Sequence, residues 1–177
     1  MGTKKRQRRP PRAIVHKDSI LRTASDYLEF DIHSFAAAIS IHASHRGTEP
    51  GNATLDSLLV RGRVLIDFFM RRHAKPDDVI ALDYFHDYKP KPYRPVMPRD
   101  VKREREKINK RLMHLTTRPM PRLRSNQNYA VARVGRPIVD AFRLWLAVVP
   151  DARLQRPAKK TRMDYERHIA RIQALLT

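Results

Sequence analysis

The chain has 177 residues, with 37 lysines and arginines against 18 aspartates and glutamates, which gives a formal net charge of +19 at pH 7. It contains no cysteine, and this excludes disulfide scaffolds, thiolate metal sites and cysteine nucleophiles. No apolar run approaches the roughly 18 residues of a membrane span, and no apolar stretch of a secretory signal follows the basic start. The composition therefore predicts a basic cytoplasmic protein, with no membrane partner and with a polyanion as its partner.

The positive charge is concentrated in three stretches of the chain. Residues 1–12 carry six basic residues and no acidic one, residues 89–124 carry thirteen against three, and residues 150–177 carry seven against three. Residues 13–88 have a net charge of −3. Blocks of one sign are solvated or are held against an anion, so these stretches indicate anion binding, with a solubility or localisation role as the alternative.

The pattern of residues divides the chain into three parts. Residues 1–17 lack apolar periodicity and contain Pro10 and Pro11, which predicts a flexible basic arm. Residues 18–150 are predicted to form a helical bundle domain. Residues 151–177 are predicted to be a basic linker followed by a C-terminal amphipathic helix.

The first two predicted helices follow from apolar residues spaced three and four apart. The first begins at Asp18 or Ser19, and Gly47 with Pro50 is predicted to stop it. The second runs from about Thr54 to Arg72, with Asn52 or Thr54 as its cap. Gly62 lies on its apolar stripe, and this predicts a close crossing with another helix because glycine otherwise weakens a helix.

The remaining predicted elements are a short helical turn and three helices. The turn lies within Asp77–Phe85, and the third helix runs from Arg99 to about Thr117. The fourth begins near Gln127 and contains Pro137, which either kinks it or opens a new segment. Thr161 with Asp164 resembles a capping box that would start the last helix. Nothing alternates long enough for a strand, so the predicted fold is all-α, a four- to five-helix bundle.

The third helix carries the candidate catalytic residues. Lys107, Arg111 and His114 recur at spacings of four and three on one face, and Asn109 flanks it. Neighbouring cations favour the neutral form of a histidine, which can then act as a general base. Such a face could support metal-independent cleavage of RNA by its own 2′-hydroxyl. The alternative is a solvated basic face with an incidental histidine.

The candidate phosphate contacts come from the same helix and from the proline-rich segment before it. Tyr93 is interleaved with cations there, a composition that can stack on bases while neutralising phosphates. The alternative for the aromatic residues of this segment is a hydrophobic lid over the bundle. The predicted nucleic-acid-binding residues are Lys89, Lys91, Tyr93, Arg94, Lys102, Arg103, Lys107, Lys110 and Arg111.

Two weaker arrangements would bind a metal ion. His42 and His45 lie three residues apart and would need a third ligand such as His86 or Asp87. The aspartates within Asp77–Asp87 would hold Mg²⁺. The favoured alternative is that they form an acidic loop that caps a helix and pairs with nearby basic residues. We therefore predict no metal site and no cofactor.

Three segments resemble the HEPN superfamily of bacterial all-α proteins. They are RGRVLIDFF (Arg61–Phe69), DDVIALDYF (Asp77–Phe85) and INKRLMHLT (Ile108–Thr116). The resemblance implies a helical bundle, often dimeric, of a kind found in toxins and antiviral RNases. His114 matches the family's histidine, whereas the positions of the family's arginine hold Lys107, Ile108 and Asn109.

These features together predict a nucleic-acid-binding protein, with RNA favoured, that is HEPN-like and forms a homodimer. Its enzymatic version is a metal-independent endoribonuclease, for which we expect weak activity or none, because lysine is a poor geometric substitute for arginine at a phosphate. Arg111, one turn before His114, is the residue that would take over the missing role. The alternative is a structural or interaction protein that uses basic tails to join a ribonucleoprotein or another polyanionic assembly.

Overall fold

The computed structural model describes residues 15–45, 48–73, 75, 77–89, 91–114, 127–155 and 157–177, with the side chains of 52, 111–114 and 127–130 left out. The described part contains five α-helices, two short 3-10 helices and no strand, which confirms the predicted all-α class. None of these helices is long and apolar enough to cross a membrane. The α-helices are α1 Asp18–Ser44, α2 Glu49–Met70, α3 Arg99–His114, α4 Gln127–Val148 and α5 Ala158–Leu176, and the 3-10 helices are Ala81–Phe85 and Asp151–Arg153.

α2 begins five residues before the predicted start at Thr54. Thr48 is its N-cap, and the hydroxyl oxygen of Thr48 accepts a hydrogen bond of 3.3 Å from the backbone N–H of Gly51. Pro50 lies in the first turn of α2, where its missing N–H costs nothing because that donor has no partner within a helix. The prediction that Pro50 stops α1 was therefore wrong, as was the cap predicted further along the chain.

Gly62 lies where α2 meets α1 and α4. A Cβ atom at this position would be 3.3 Å from the ring of Phe35 in α1 and 3.3 Å from the side chain of Val134 in α4. Both distances are shorter than ordinary van der Waals contact. The predicted close crossing is confirmed, and glycine is the residue that permits it.

The centre of the bundle is a group of aromatic rings around Trp145 of α4. The Trp145 ring contacts Tyr84 of the first 3-10 helix, with 5.1 Å between ring centroids, and Tyr165 of α5 at 6.2 Å. Phe68 and Phe69 of α2 contact the same ring. Edge-to-face pairs of this kind stabilise a core beyond the area that they bury, so one residue joins three helices and the 3-10 segment.

α5 is part of this core rather than a separate extension. The hydroxyl of Tyr165 is buried and donates a hydrogen bond of 2.7 Å to the carbonyl oxygen of Ser25 in α1. α5 begins at Ala158, so Thr161 lies inside it, and its hydroxyl donates to the carbonyl oxygen of Gln155 at 3.2 Å. The predicted capping box was therefore wrong.

α4 continues without interruption through its proline. Pro137 lies inside the helix, which runs unbroken from Gln127 to Val148. The predicted start near Gln127 is therefore confirmed, and the proline does not open a new segment. Because α4 is unbroken, it packs along its length against α2, α3 and α5.

We predict that Trp145→Ala destabilises the protein by about 3–5 kcal/mol, because it leaves a large cavity among five other rings. Leu144→Ala is the matched control, since Leu144 is 66% exposed whereas Trp145 is fully buried, and its cost should stay within about 0.5 kcal/mol. Urea unfolding monitored by circular dichroism measures both values. Equal stability of the two variants would contradict the described core.

Candidate nucleic-acid interface

α3 places one side against the bundle and the other in solvent. Val101 and Ile108 are buried on the side that packs against α2 and α4. Arg105 on the flank of α3 donates two hydrogen bonds to the carboxylate of Asp67 in α2, 2.5 Å from Nε to Oδ1 and 3.1 Å from Nη2 to Oδ2. This bidentate pair fixes the rotation of α3 about its axis and so determines which residues face outward.

The outward side of α3 is mainly cationic. With 3.6 residues per turn, the exposed cations from Arg99 to Lys110 fall within an arc of about 140°, and they extend about 16 Å along the axis. The acidic Glu106 lies within this arc, and the exposed Asp100 lies about 20° beyond its edge. The exposed cations are Arg99, Lys102, Arg103, Lys107 and Lys110.

One of these cations is already engaged inside the protein. The Nζ of Lys107 donates a hydrogen bond of 2.7 Å to Oε1 of Glu104, and the Glu104 side chain is only 7% exposed whereas that of Lys107 is 57% exposed. A buried carboxylate needs a counter-charge. Lys107 therefore stabilises the fold, and this role competes with its predicted role as the cation beside a reacting phosphate.

The other cations of this surface have no such partner. The side chains of Lys102, Arg103 and Lys110 form no ion pair with any residue in the part of the chain that the structure describes. We call these three residues the α3 basic face. Their charge is exposed and has no internal counter-ion, so it is available to an external anion.

The structure locates the predicted catalytic residues only in part. α3 is helical as far as His114, so the positions of Lys107, Arg111 and His114 fall on one side of it. The side chains of Arg111 and His114 lie outside the described part. Asn109 is on another side of the helix, about 160° from Lys107, and its Oδ1 is buried without a hydrogen bond to a described residue.

The segment before α3 contributes less than its composition suggested. Tyr93 is buried, its ring packs on Phe85, and its hydroxyl donates a hydrogen bond of 2.7 Å to the carbonyl oxygen of Phe69. Burial also raises the pKa of its phenol. The prediction that Tyr93 stacks on bases was wrong, because its ring belongs to the core, as the hydrophobic-lid alternative had it.

The cations of that segment remain at the surface to different degrees. Lys89 and Arg94 are exposed, and neither forms an ion pair with a described residue. Lys91 is half-buried and lies close enough to Asp83 to favour its ionised form, although burial raises the pKa of Asp83 overall. Lys89 and Arg94 therefore extend the cationic surface beyond α3.

Two of the aspartates that are candidate Mg²⁺ ligands, Asp83 and Asp87, form hydrogen bonds within the protein. Asp83 accepts a hydrogen bond of 2.8 Å from the backbone N–H of Ile80. Both oxygens of Asp87 accept from Arg153, at 2.7 and 2.8 Å, and this guanidinium lowers the pKa of Asp87. Among the described residues, no three His, Asp or Glu side chains are close enough together to hold a metal ion.

Of the two histidines that are candidate metal ligands, His42 is buried and His45 is exposed. His42 is buried, and its Nδ1 donates a hydrogen bond of 3.0 Å to the carbonyl oxygen of Gly51. The Nδ1 of the exposed His45 lies 3.1 Å from the carbonyl oxygen of Ile41 and 3.1 Å from the Ser44 hydroxyl. Both imidazoles therefore contact residues at the junction of α1 and α2.

A polar cleft between α1 and α5 was not predicted. Carboxylates and imidazoles from both helices line it, and His33 contacts His168. The sequence does contain a signal for it, since Glu29 with His33 and Asp164 with His168 are each four residues apart. Only the folded chain shows that these two pairs face each other.

We predict different costs for two lysines on the same helix. Lys107→Ala should reduce the free energy of unfolding by about 1–3 kcal/mol, because Glu104 loses its partner while it stays buried. Lys110→Ala should change it by less than about 0.5 kcal/mol, since the Lys110 side chain is exposed and unpaired. Thermal and urea unfolding at pH 7 provide the measurement. If Lys107→Ala leaves the free energy of unfolding unchanged, the ion pair contributes nothing to stability.

The candidate interface therefore consists of the α3 basic face together with Lys89 and Arg94, while Tyr93 and Lys107 are engaged within the protein. Arg111 and His114 extend the same helix beyond the described side chains. Comparison of the chain with protein-family models, with curated protein sequences and with solved structures finds no match.

Proposed function

We propose that this protein binds nucleic acid through the phosphate backbone, with the α3 basic face as the main contact surface and RNA as the favoured nucleic acid. The observation that carries the proposal is the absence of internal counter-ions for Lys102, Arg103 and Lys110 among the described residues. Exposed cations that no acid neutralises raise the free energy of the folded protein through mutual repulsion. A bound polyanion removes this cost.

Several arginines elsewhere in the bundle differ from the cations of α3, because they form ion pairs within the protein. Arg61 forms an ion pair with Asp31, and Arg162 donates a hydrogen bond of 2.6 Å to Asp151. Arg162 also donates to two carbonyl oxygens near the end of α4. These arginines therefore stabilise the fold, whereas the cations of the α3 basic face lie close together on one helix without such partners among the described residues.

The dimensions of the surface fit a nucleic acid backbone. The cations of α3 extend about 16 Å along the helix axis, and each strand of a duplex presents a phosphate about every 3.4 Å along its axis. Three side chains within this length can reach separate phosphates without bending the ligand. Such contacts carry no sequence information, so we expect binding without strong sequence preference.

The choice of RNA rests on the resemblance to HEPN proteins rather than on the basic surface. Phosphate contacts do not distinguish RNA from DNA, whereas a contact to the 2′-hydroxyl does. The HEPN-like identity and the homodimer belong to the same proposal. Parallel titrations with RNA and DNA of equal length and sequence test this finer choice.

The alternative is a structural or interaction protein that joins a polyanionic assembly through basic tails. α5 weakens this alternative, because Tyr165 and Ile172 of α5 are buried in the core and the C-terminal region is thus not a free tail. Residues 1–12 remain as the basic segment on which the alternative depends. Deletion of residues 1–12 therefore separates the two functions.

We predict that Arg103→Gln with Lys110→Gln weakens RNA binding and makes it less dependent on salt. Each lost phosphate contact lowers the slope of log K against log salt concentration by about 0.7–0.9, so the double variant should lose about 1.4–1.8 from that slope. Fluorescence anisotropy with a labelled RNA between 50 and 200 mM salt, within the range over which such contacts are resolved, gives both quantities.

The matched control is Lys159→Gln with Arg171→Gln, which removes the same two charges from exposed positions of α5. This control should keep the wild-type slope to within about half a contact. Equal slopes for both double variants would assign the binding to net charge and contradict the α3 basic face. Loss of binding only on deletion of residues 1–12 would favour the tail-based alternative.

The enzymatic version of the proposal assigns His114 as the general base and Arg111 as the cation at the phosphate. Lys107 is less suited to the second role because Glu104 already holds its ammonium group. We predict that cleavage of RNA in EDTA is weak at most, and that His114→Ala and Arg111→Ala each abolish whatever cleavage occurs. The measurement is product formation on denaturing gels, with circular dichroism as the control for folding.

The outcomes of this experiment lead to different conclusions. Cleavage that persists in both variants would contradict the assigned residues. Cleavage that EDTA abolishes would move the chemistry to carboxylates and a metal ion. Salt-dependent binding without any cleavage would leave a nucleic-acid-binding protein that is not an enzyme.

A further inference from the structure

The cleft between α1 and α5 is a separate polar cavity of about 510 Å³. The contacts with α1 follow the same direction along both helices. Ser25 contacts Gln155, which precedes α5, and Tyr165 of α5, whereas His33, further along α1, contacts His168, further along α5. The two helices therefore run side by side as the walls of the cleft. The charged and imidazole side chains that line it are Asp26, Glu29, His33, Lys160, Asp164 and His168.

The cleft is negatively charged in a protein with a net charge of +19. It contains three carboxylates and one lysine. One of the carboxylates, Asp164, already accepts a hydrogen bond of 3.1 Å at its Oδ1 from Nη1 of Arg167. Burial and the charges of Asp164 and Asp26 raise the pKa of Glu29, while Lys160 offsets them only in part. Asp26 and Glu29 form no ion pair with a described residue, and a bound cation would relieve the repulsion between these two carboxylates.

The two histidines add acceptor atoms to the same cleft. Their ring centroids are 5.2 Å apart in an edge-to-face arrangement. Burial, together with the neighbouring His33, lowers the pKa of His168, so its imidazole is neutral at pH 7. A neutral imidazole offers a lone pair to an N–H donor.

The spacing of these groups favours an extended cation over a single ion. The seven-residue interval from Asp26 to His33 corresponds to about 10 Å along α1, and the eight-residue interval from Lys160 to His168 corresponds to about 12 Å along α5. In the part of the chain that the structure describes, no three of the potential ligands meet closely enough for one metal ion. Acceptors spread along a groove instead match several donors on one chain.

We propose that the cleft between α1 and α5 binds a linear organic cation with two or more ammonium groups, that is, an aliphatic di- or polyamine. The carboxylates of Asp26, Glu29 and Asp164 accept hydrogen bonds from its ammonium groups. His33 and His168 accept hydrogen bonds from the end of the ligand that lies toward the C-terminal ends of α1 and α5. The exposed ring of Phe30, which also lines the cleft, covers the methylene chain.

The cleft does not depend on the α3 basic face for this role. None of the residues of α3 lines it, and its ligand has the opposite charge to nucleic acid. The cation site and the nucleic-acid surface can therefore be tested separately. Failure at either one leaves the other standing.

The experiment uses the full chain, freed of nucleic acid by nuclease treatment and high salt, because bound RNA would itself capture polyamines. Spermidine is titrated by isothermal calorimetry at pH 7.5 and low ionic strength, with Mg²⁺ and Zn²⁺ in parallel titrations. The Hε1 resonances of His33 and His168 are followed by NMR in the same titrations. Binding in the cleft should shift these two resonances and leave those of the other histidines unchanged.

The variant is Glu29→Gln with Asp164→Asn, which removes two of the three carboxylates with little change in shape. The matched control is Glu166→Gln with Asp140→Asn, which removes two exposed carboxylates from α5 and α4. We expect one spermidine per chain, a loss of affinity of at least tenfold in the cleft variant, and less than twofold in the control.

Three results would overturn the proposal. The first is no measurable heat or histidine shift at millimolar spermidine. The second is equal loss of affinity in both double variants, which would indicate diffuse attraction to surface carboxylates. The third is saturable binding of Zn²⁺ or Mg²⁺ that shifts His33 and His168 while spermidine does not, which would make the cleft a metal site.

Discussion

The guanidinium of Arg153 joins three segments that are distant in the sequence. Its Nε donates to Asp18 at the start of α1 at 3.0 Å, its Nη1 donates to the carbonyl oxygen of Tyr84 at 2.5 Å, and both Nη atoms donate to Asp87. The side chain is only 8% exposed. A charge so placed requires complete pairing, and the planar fork of arginine meets several acceptors at once where lysine would meet one. The 3-10 segment that carries Tyr84 into the aromatic centre is thereby tied to the start of α1 and to the segment that follows α4.

The same constraint explains where the excess charge of the protein appears. Residues 13–88 are net acidic, and their carboxylates receive arginines from later parts of the chain, as Asp67 receives Arg105 and Asp87 receives Arg153. Each such pair removes one cation from the surface. On the outer side of α3, a helix held in a fixed rotation by one of these pairs, several cations are left without such a partner among the described residues. The charged residues that stabilise the bundle and those proposed to bind nucleic acid thus belong to one set, and the division between them follows from which cations lie within reach of an acidic side chain.

The helices could be predicted from the sequence because apolar spacing is a local property. Gly62 is an example, since a glycine on an apolar stripe already implies a close crossing. Pro50 was ambiguous, because proline ends one helix and also suits the first turn of the next. The role of Tyr93 depends on which surface covers its ring, and that of Lys107 depends on the burial of Glu104. These are properties of the tertiary structure, so no reading of neighbouring residues could have decided them. The cleft between α1 and α5 has the same origin, since its two walls lie more than a hundred residues apart.

The hydrogen bond from Tyr165 to Ser25 spans 140 positions of the chain. A ribosome adds residues at about 5–20 per second, so α1 emerges roughly 7–30 s before the helix that covers it. During that interval its apolar side is available to chaperones, to proteases and to other nascent chains. Folding of the bundle is therefore completed only after α5 has been synthesised, and the codons between those of α1 and those of α5 influence how long the unprotected state lasts. A slowly translated stretch there would prolong the exposure of α1.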